Sequence, residues 1–234
     1  MKVRIISVAS ISLALVFGLA LSLPAQKGAS AGVLLQDKGK FNILLDGKSV
    51  GKEEFEIAPN GAGWLAKGST QINTGEGPAA QVTGNLTLQS NGAPMAYDWV
   101  SKTDKTSSAH IIFANGIAKI ALEVQGTKPY EQELTFNSPL IAVLDNNLYH
   151  HYELLARIYD WSKRGPQTLP VFIPQEITPG TITAEATGSA SSGGKTYDGL
   201  RVTTSDIEVL LMLDSNHRLM RLEVPAAKVA VVRE

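Results

Sequence analysis

The residues best equipped for chemistry are gathered in one stretch, "NNLYHHYELLARIYDW", residues 146–161, where two adjacent histidines sit among tyrosines and a glutamate. On a helix His150 and Glu153 are three residues apart and share a face, so they could act as base and acid or hold one metal ion. Adjacent helical residues point about 100° apart, so His150 and His151 do not readily share a metal. A third ligand would have to come from a strand, and no H-E-x-x-H spacing is present. The spacing thus stops short of a metal centre, and no metal or other cofactor is expected. A hydrolase or metal-dependent enzyme using His150 with Glu153 stays open as an alternative.

Other catalytic patterns fail on spacing or context. The chain has four histidines, and His110 and His217 sit at a strand start and in a turn. No G-x-S-x-G elbow occurs, and a nucleophile needs both a base and an acid to orient that base. "GSASSGGKT", residues 188–196, imitates a phosphate-binding loop, but Gly188 lies one position too early and the chain continues into a strand-like segment. It reads as a hairpin loop. In "GKEEFEI", alternation sets Glu54 and Glu56 opposite Phe55 and Ile57, a solvated outer face. No catalytic residue is therefore assigned.

Aromatic residues are the remaining functional material. Met95, Tyr97 and Trp99 share one face of a strand by alternation, and Tyr149, His150 and Tyr152 lie on the helical stretch. Such a group could line a cavity for an apolar small molecule or lipid, or it could be plain core between helix and sheet.

The elements that must position these residues are mostly strands. Alternation recurs near 40–46, 50–58, 63–73, 79–89, 93–102, 108–114, 117–125 and 129–136, divided by Asp46-Gly47, Asn60-Gly61, Asn91-Gly92 and Asn115-Gly116. Leu144, Leu148, Tyr152, Leu155 and Tyr159 then follow a helical period, which predicts one helix over about 140–162. Asp145 or Asn146 would cap its start, and Lys163-Arg164-Gly165-Pro166 would stop it. Within that helix His151 borders the apolar stripe, whereas His150 sits on a flanking face that can reach solvent. Strands resume at 169–174, 180–188, 195–204, 207–214, 218–225 and 228–234. Strands, one helix and strands again, without βαβ alternation, predict a mainly β domain: a large curved antiparallel sheet, half-barrel or open barrel, with the helix packed on it.

The N-terminus carries an address. Lys2 and Arg4 precede an uncharged apolar run, as in a secretory leader, with cleavage after Ala31 or after Ala25. Residues 32–234 then form a single β-rich domain, periplasmic or secreted, whose mature form does not span a membrane. Removing residues 1–31 takes Lys2, Arg4 and Lys27, leaving 18 basic against 22 acidic residues and a net charge of −4, no footprint for nucleic acid. The chain has no cysteine, which excludes disulfides, thiol catalysis and an N-terminal lipidated cysteine.

"FNILLDGKSVGKEEFEI" and "LDSNHRLMRLEVP" resemble the opening and closing hairpins of a group of uncharacterised exported bacterial β-sheet proteins. The overall plan is similar to the half-barrel of periplasmic lipoprotein carriers of the Lol type. The resemblance implies a periplasmic location and an apolar cavity, and brings no catalytic residue with it. The function expected is an exported, non-enzymatic envelope protein that binds an apolar ligand or envelope component. A structural protein that pairs through a sheet edge is the further alternative.

Overall fold

The computed structural model describes residues 33–75 and 77–234, so the expected leader lies outside the described residues. Within them the chain forms fifteen strands, one α-helix and a short 3-10 turn. The first run is β1 (Asp37–Leu45), β2 (Lys48–Asn60), β3 (Gly63–Ile72), β4 (Ala80–Leu88), β5 (Pro94–Lys102), β6 (Thr106–Ala114), β7 (Ile117–Val124), β8 (Tyr130–Thr135) and β9 (Ala142–Val143). Helix α1 (His150–Ile158) follows. The second run is β10 (Gln167–Ile173), β11 (Thr178–Ser192), β12 (Lys195–Thr203), β13 (Glu208–Leu213), β14 (Leu219–Val224) and β15 (Val229–Arg233).

All fifteen strands join one sheet, in the order β8-β7-β6-β5-β4-β3-β2-β1-β15-β14-β13-β12-β11-β10-β9. Each half is a meander, and the two halves meet where β1 pairs antiparallel with β15, Phe41 opposite Arg233. Every neighbouring pair is antiparallel except β9 and β10. The sheet is open, with β8 and β9 as its free ends. Curvature nonetheless folds the two arms together: Phe172 of β10 meets Phe113 of β6 at 6.0 Å and Phe136, just after β8, at 6.4 Å between ring centres. The expected curved antiparallel sheet with one helix is what forms.

Alternation decides which side chains fill the inner face. Phe55 and Ile57 of β2, Val82 and Leu86 of β4 and Ile111 and Phe113 of β6 are buried, while Glu54, Glu56 and His110 face out. The Asp46-Gly47 and Asn115-Gly116 turns adopt positive φ at both central residues, as tight hairpins require.

Four expectations about the middle of the chain are corrected. The helix runs over nine residues, not about twenty, because Leu144 donates its N–H to the Phe172 carbonyl as the chain leaves β9, and Asp145 and Leu148 form an isolated bridge. Asp145 and Asn146 do not cap it; Asp145 accepts from the N–H of Asn147 instead. The end comes at Tyr159, before the Lys-Arg-Gly-Pro signal, where the Trp161 indole donates to the Ala156 carbonyl and the Tyr159 hydroxyl donates to Gly165. Finally, the glycine- and serine-rich patch is mostly strand: β11 and β12 extend to Ser192 and Lys195, and only Gly193-Gly194 makes the turn.

Candidate functional site

The inner face of β2 carries a glutamate. Glu53 lies two residues before Phe55 and four before Ile57, so the alternation that buries those two buries it as well, and it is fully enclosed. Its Oε1 lies 2.5 Å from Nδ1 of His150, itself wholly buried. The same carboxyl accepts the backbone N–H of Tyr149 at 2.7 Å and that of His150 at 3.4 Å. Helix α1 has no side-chain cap of its own at Tyr149, and Glu53 supplies one from the sheet.

The sheet is shaped to receive this corner. Phe55, Gly68, Gly84 and Trp99 form one cross-strand row on β2, β3, β4 and β5. A Cβ on Gly68 would stand 2.5 Å from His150 Cε1, and one on Gly84 would stand 2.5 Å from Leu148 and 2.6 Å from the Tyr97 hydroxyl. The two glycines therefore leave bare backbone where His150 and Leu148 seat. The His150 ring lies parallel to Phe55, centres 5.6 Å apart, and Phe55 stacks on Phe41 at 4.9 Å.

Two further groups complete the cluster. His151 meets His150 edge-on at 4.6 Å, and its Nδ1 accepts the backbone N–H of Asp145. Tyr97 donates its hydroxyl to Asp145 at 2.8 Å. On the other side of the helix, Glu153 accepts from Arg157 at 2.9 Å and from the Leu219 N–H at 3.0 Å. Arg233 grips both oxygens of Asp37 at 2.8 Å, lies 3.6 Å from Glu153 and hangs over the Phe55 ring at 5.3 Å.

Burial dominates the titration of these groups. It pushes Glu53 up to about 8, against the two backbone N–H groups that favour its charge, and pushes His150 down to about 3. His151 is driven well below the ordinary imidazole range by burial and then by His150, with the Val143 carbonyl opposing. Burial raises Asp145, and burial followed by the Asp145 charge raises Tyr97 well above a phenol's usual value. Glu153 rises to about 7 through burial and then through Asp37. Burial also acts upward on Asp37, but the Arg233 guanidinium outweighs it and holds that carboxyl below its usual range.

The expected site residues divide. Tyr97, Trp99 and His150 are buried and lie together around the glycine row, with Tyr149 and Tyr152 half-buried along the helix. Met95 does not join them. A β-bulge sets Thr87 opposite Ala96 and Leu88 opposite Pro94, so Met95 is the extra residue and is 45% exposed. The expected pair of His150 with Glu153 is also not formed: His150 takes Glu53, and Glu153 is committed to Arg157. His150 does not reach solvent. Glu53 is the residue that sequence reasoning missed, and the alternation of "EEFEI", residues 53–57, was the signal that could have found it.

A carboxyl on Nδ1 of a histidine is the orienting half of a catalytic triad. Here that half is walled in: His150 is 0% exposed, its Cε1 abuts the Gly68 backbone, and the cavity between Leu154 and Leu155 of α1 and Leu86 of β4 holds only about 10 Å³. No substrate has room beside the ring in this conformation, nor does an acyl chain under the helix. Among the described residues, no group of three or more histidine, aspartate or glutamate side chains is placed to hold a metal ion. What the geometry does is fasten a short helix to a sheet through buried polar groups.

Fold and site together define an open, β-barrel-like sheet protein with an internally anchored helix. No protein-family model matches the chain, and no curated protein matches it. Solved structures do match. A β-barrel-like protein of the domain of unknown function DUF1849 from Brucella abortus superposes with a TM-score of 0.56 at 10% identity, over 86% of this chain and 95% of that one. A DUF1089 family protein from Pseudomonas aeruginosa gives a TM-score of 0.46 at 8% identity, over 77% and 91%. The first likeness is one of fold.

Proposed function

We propose that this chain is an exported, non-enzymatic protein of the bacterial envelope that binds an apolar ligand or envelope component with the outer face of its sheet. The observation that carries this reading is the contrast between the two faces. The cavity between α1 and β4 holds only about 10 Å³, whereas an open groove of about 490 Å³ lies over β6, β7 and β8. Ile112, 42% exposed, and Ala121 give it an apolar floor, and His110, Lys119, Glu131 and Glu133 place both signs of charge on its walls. An amphiphile with a zwitterionic head and an apolar chain matches that lining. The leader-like N-terminus supports the envelope location.

The test is direct. Purified protein is mixed with phosphatidylethanolamine–phosphatidylglycerol vesicles, sedimented, and separately analysed for retained lipid by native mass spectrometry. Binding that Ile112→Asp weakens tenfold or more is expected. Wild-type protein that neither sediments nor retains lipid overturns the reading.

One observation favours a second reading, pairing of a partner strand onto the sheet. β8 ends the sheet, so every second residue turns its N–H and C=O away from β7. Glu131 and Glu133 guard that edge, since two copies brought together would oppose like charges. Replacing both with Thr is expected to raise self-association in size-exclusion chromatography; an unchanged elution volume sinks this reading.

A further inference from the structure

We propose that Glu53 and His150 hold a single proton between them, that this shared proton latches helix α1 to the sheet, and that a second proton on the pair, or loss of the first, releases the helix. The latch stands on geometry. Both groups are fully buried, their atoms lie 2.5 Å apart, and the same carboxyl receives the first two N–H groups at the helix start. The helix is nine residues long with no cap of its own, too short to persist undocked. The bare backbone at Gly68 and Gly84 fixes the seat, so the ring cannot slide to another partner.

The proton balance follows from the donors and acceptors. In the closed state the Glu53 O–H donates to His150 Nδ1, the ring keeps its own proton on Nε2, buried without a hydrogen-bond partner, and the other oxygen of Glu53 accepts from Tyr149. A second proton, on Nδ1, sets two donors face to face and buries a cation. Removal of the shared proton leaves a carboxylate with no cation beside it. The groups facing the pair from each packed element do not compensate either charge: Tyr149 and His151 on α1, Asp145 in the preceding loop and Tyr97 on β5 are neutral or acidic. β2 and β3 present Phe55, Gly68 and Thr70 there. Arg233 of β15, beyond the Phe55 ring, is committed to Asp37. Burial drives both groups toward their neutral forms, Glu53 to about 8 and His150 to about 3, which is the direction a single shared proton requires.

The experiment is amide hydrogen exchange across pH 5–9 on the full chain, corrected for intrinsic exchange, comparing α1 with β6. Protection of α1 relative to β6 is expected to fall about 30-fold in all across pH 5–9, most of it between 6.5 and 8, from the 1.5 units between a free imidazole and Glu53. Glu53→Gln keeps an acceptor for Tyr149 and a donor for Nδ1 but has no proton to lose, so its alkaline fall should vanish. A fall that persists in Glu53→Gln, or a wild-type profile flat to pH 9, overturns the proposal. Should that variant fail to fold, the His150 ring nitrogens of wild-type protein decide by NMR: constant shifts from pH 5 to 7, changing only as Glu53 titrates toward 8, are expected, and an independent titration near 6.5 overturns the latch.

Discussion

Gly68 and Gly84 face each other across β3 and β4 and leave a gap in the inner surface of the sheet just where His150 and Leu148 come down from the helix. Neither glycine has a positive φ, so each is there for space and not for a turn. Gly68→Ala and Gly84→Ala should each destabilise by about 1–3 kcal/mol through overpacking. Gly77→Ala, which meets nothing within 4 Å, should stay within about 0.5 kcal/mol. Urea midpoints at unchanged slope would check this, and equal effects at all three sites would contradict the seat.

The second prediction concerns the ion network. Glu153→Ala strips a buried partner from Arg157 and Arg233 and leaves the Leu219 N–H unpaired. A loss of about 3–5 kcal/mol is expected in denaturant unfolding. Glu54→Ala removes an outward carboxylate paired with Lys40 on the exposed face, and should leave the unfolding midpoint nearly unchanged.

The Glu53–His150 pair should make stability fall as pH rises above 6.5. His150 and His151 are depressed when folded, so the stability they contribute is present above an imidazole's ordinary 6.5 and is lost as pH falls below it. Glu53 is raised, so its contribution is present below the ordinary 4.5 and is lost as pH rises through about 8. Between 4.5 and 6.5 the Glu53–His150 pair holds one proton whether folded or unfolded, and contributes no slope. Above 6.5 the unfolded pair comes to hold none, and about 2 kcal/mol should be lost in all by pH 9. Thermal melts across pH 4–9 would show it, and a stability still rising from pH 6.5 to 8 would refute this assignment of protons.

The bulge in β5 gives a sharp contrast between neighbours. Tyr97→Phe leaves Asp145 without its buried donor and should cost about 1–3 kcal/mol. Met95→Ser, two positions away on the residue the bulge turns outward, should change stability by less than about 0.5 kcal/mol. Similar losses at both positions would restore the single aromatic face that alternation alone suggests.

Much of this was legible in the residues, for a physical reason. A strand side chain takes its face from its own backbone, so period-two alternation and Asp-Gly or Asn-Gly turns determined the strands, the hairpins and the inward set of Phe55, Ile57, Leu86 and Ile111. The same local rule, carried two residues back from Phe55, reaches Glu53, which the sequence reading left unassigned. What it could not reach is which distant backbone lies opposite. Only the tertiary structure decided that Glu53 meets a histidine 97 residues later, that Gly68 and Gly84 lie beneath that histidine, and that one inserted residue turns Met95 out. It also shortened the helix, because helical spacing at Leu144 and Leu148 persisted through a segment where the Leu144 N–H goes to Phe172 of β10 and the Leu148 N–H to Asp145. Sequence patterns record each residue's own conformation; the pairing of buried charges depends on sheet curvature and register, which no local segment contains.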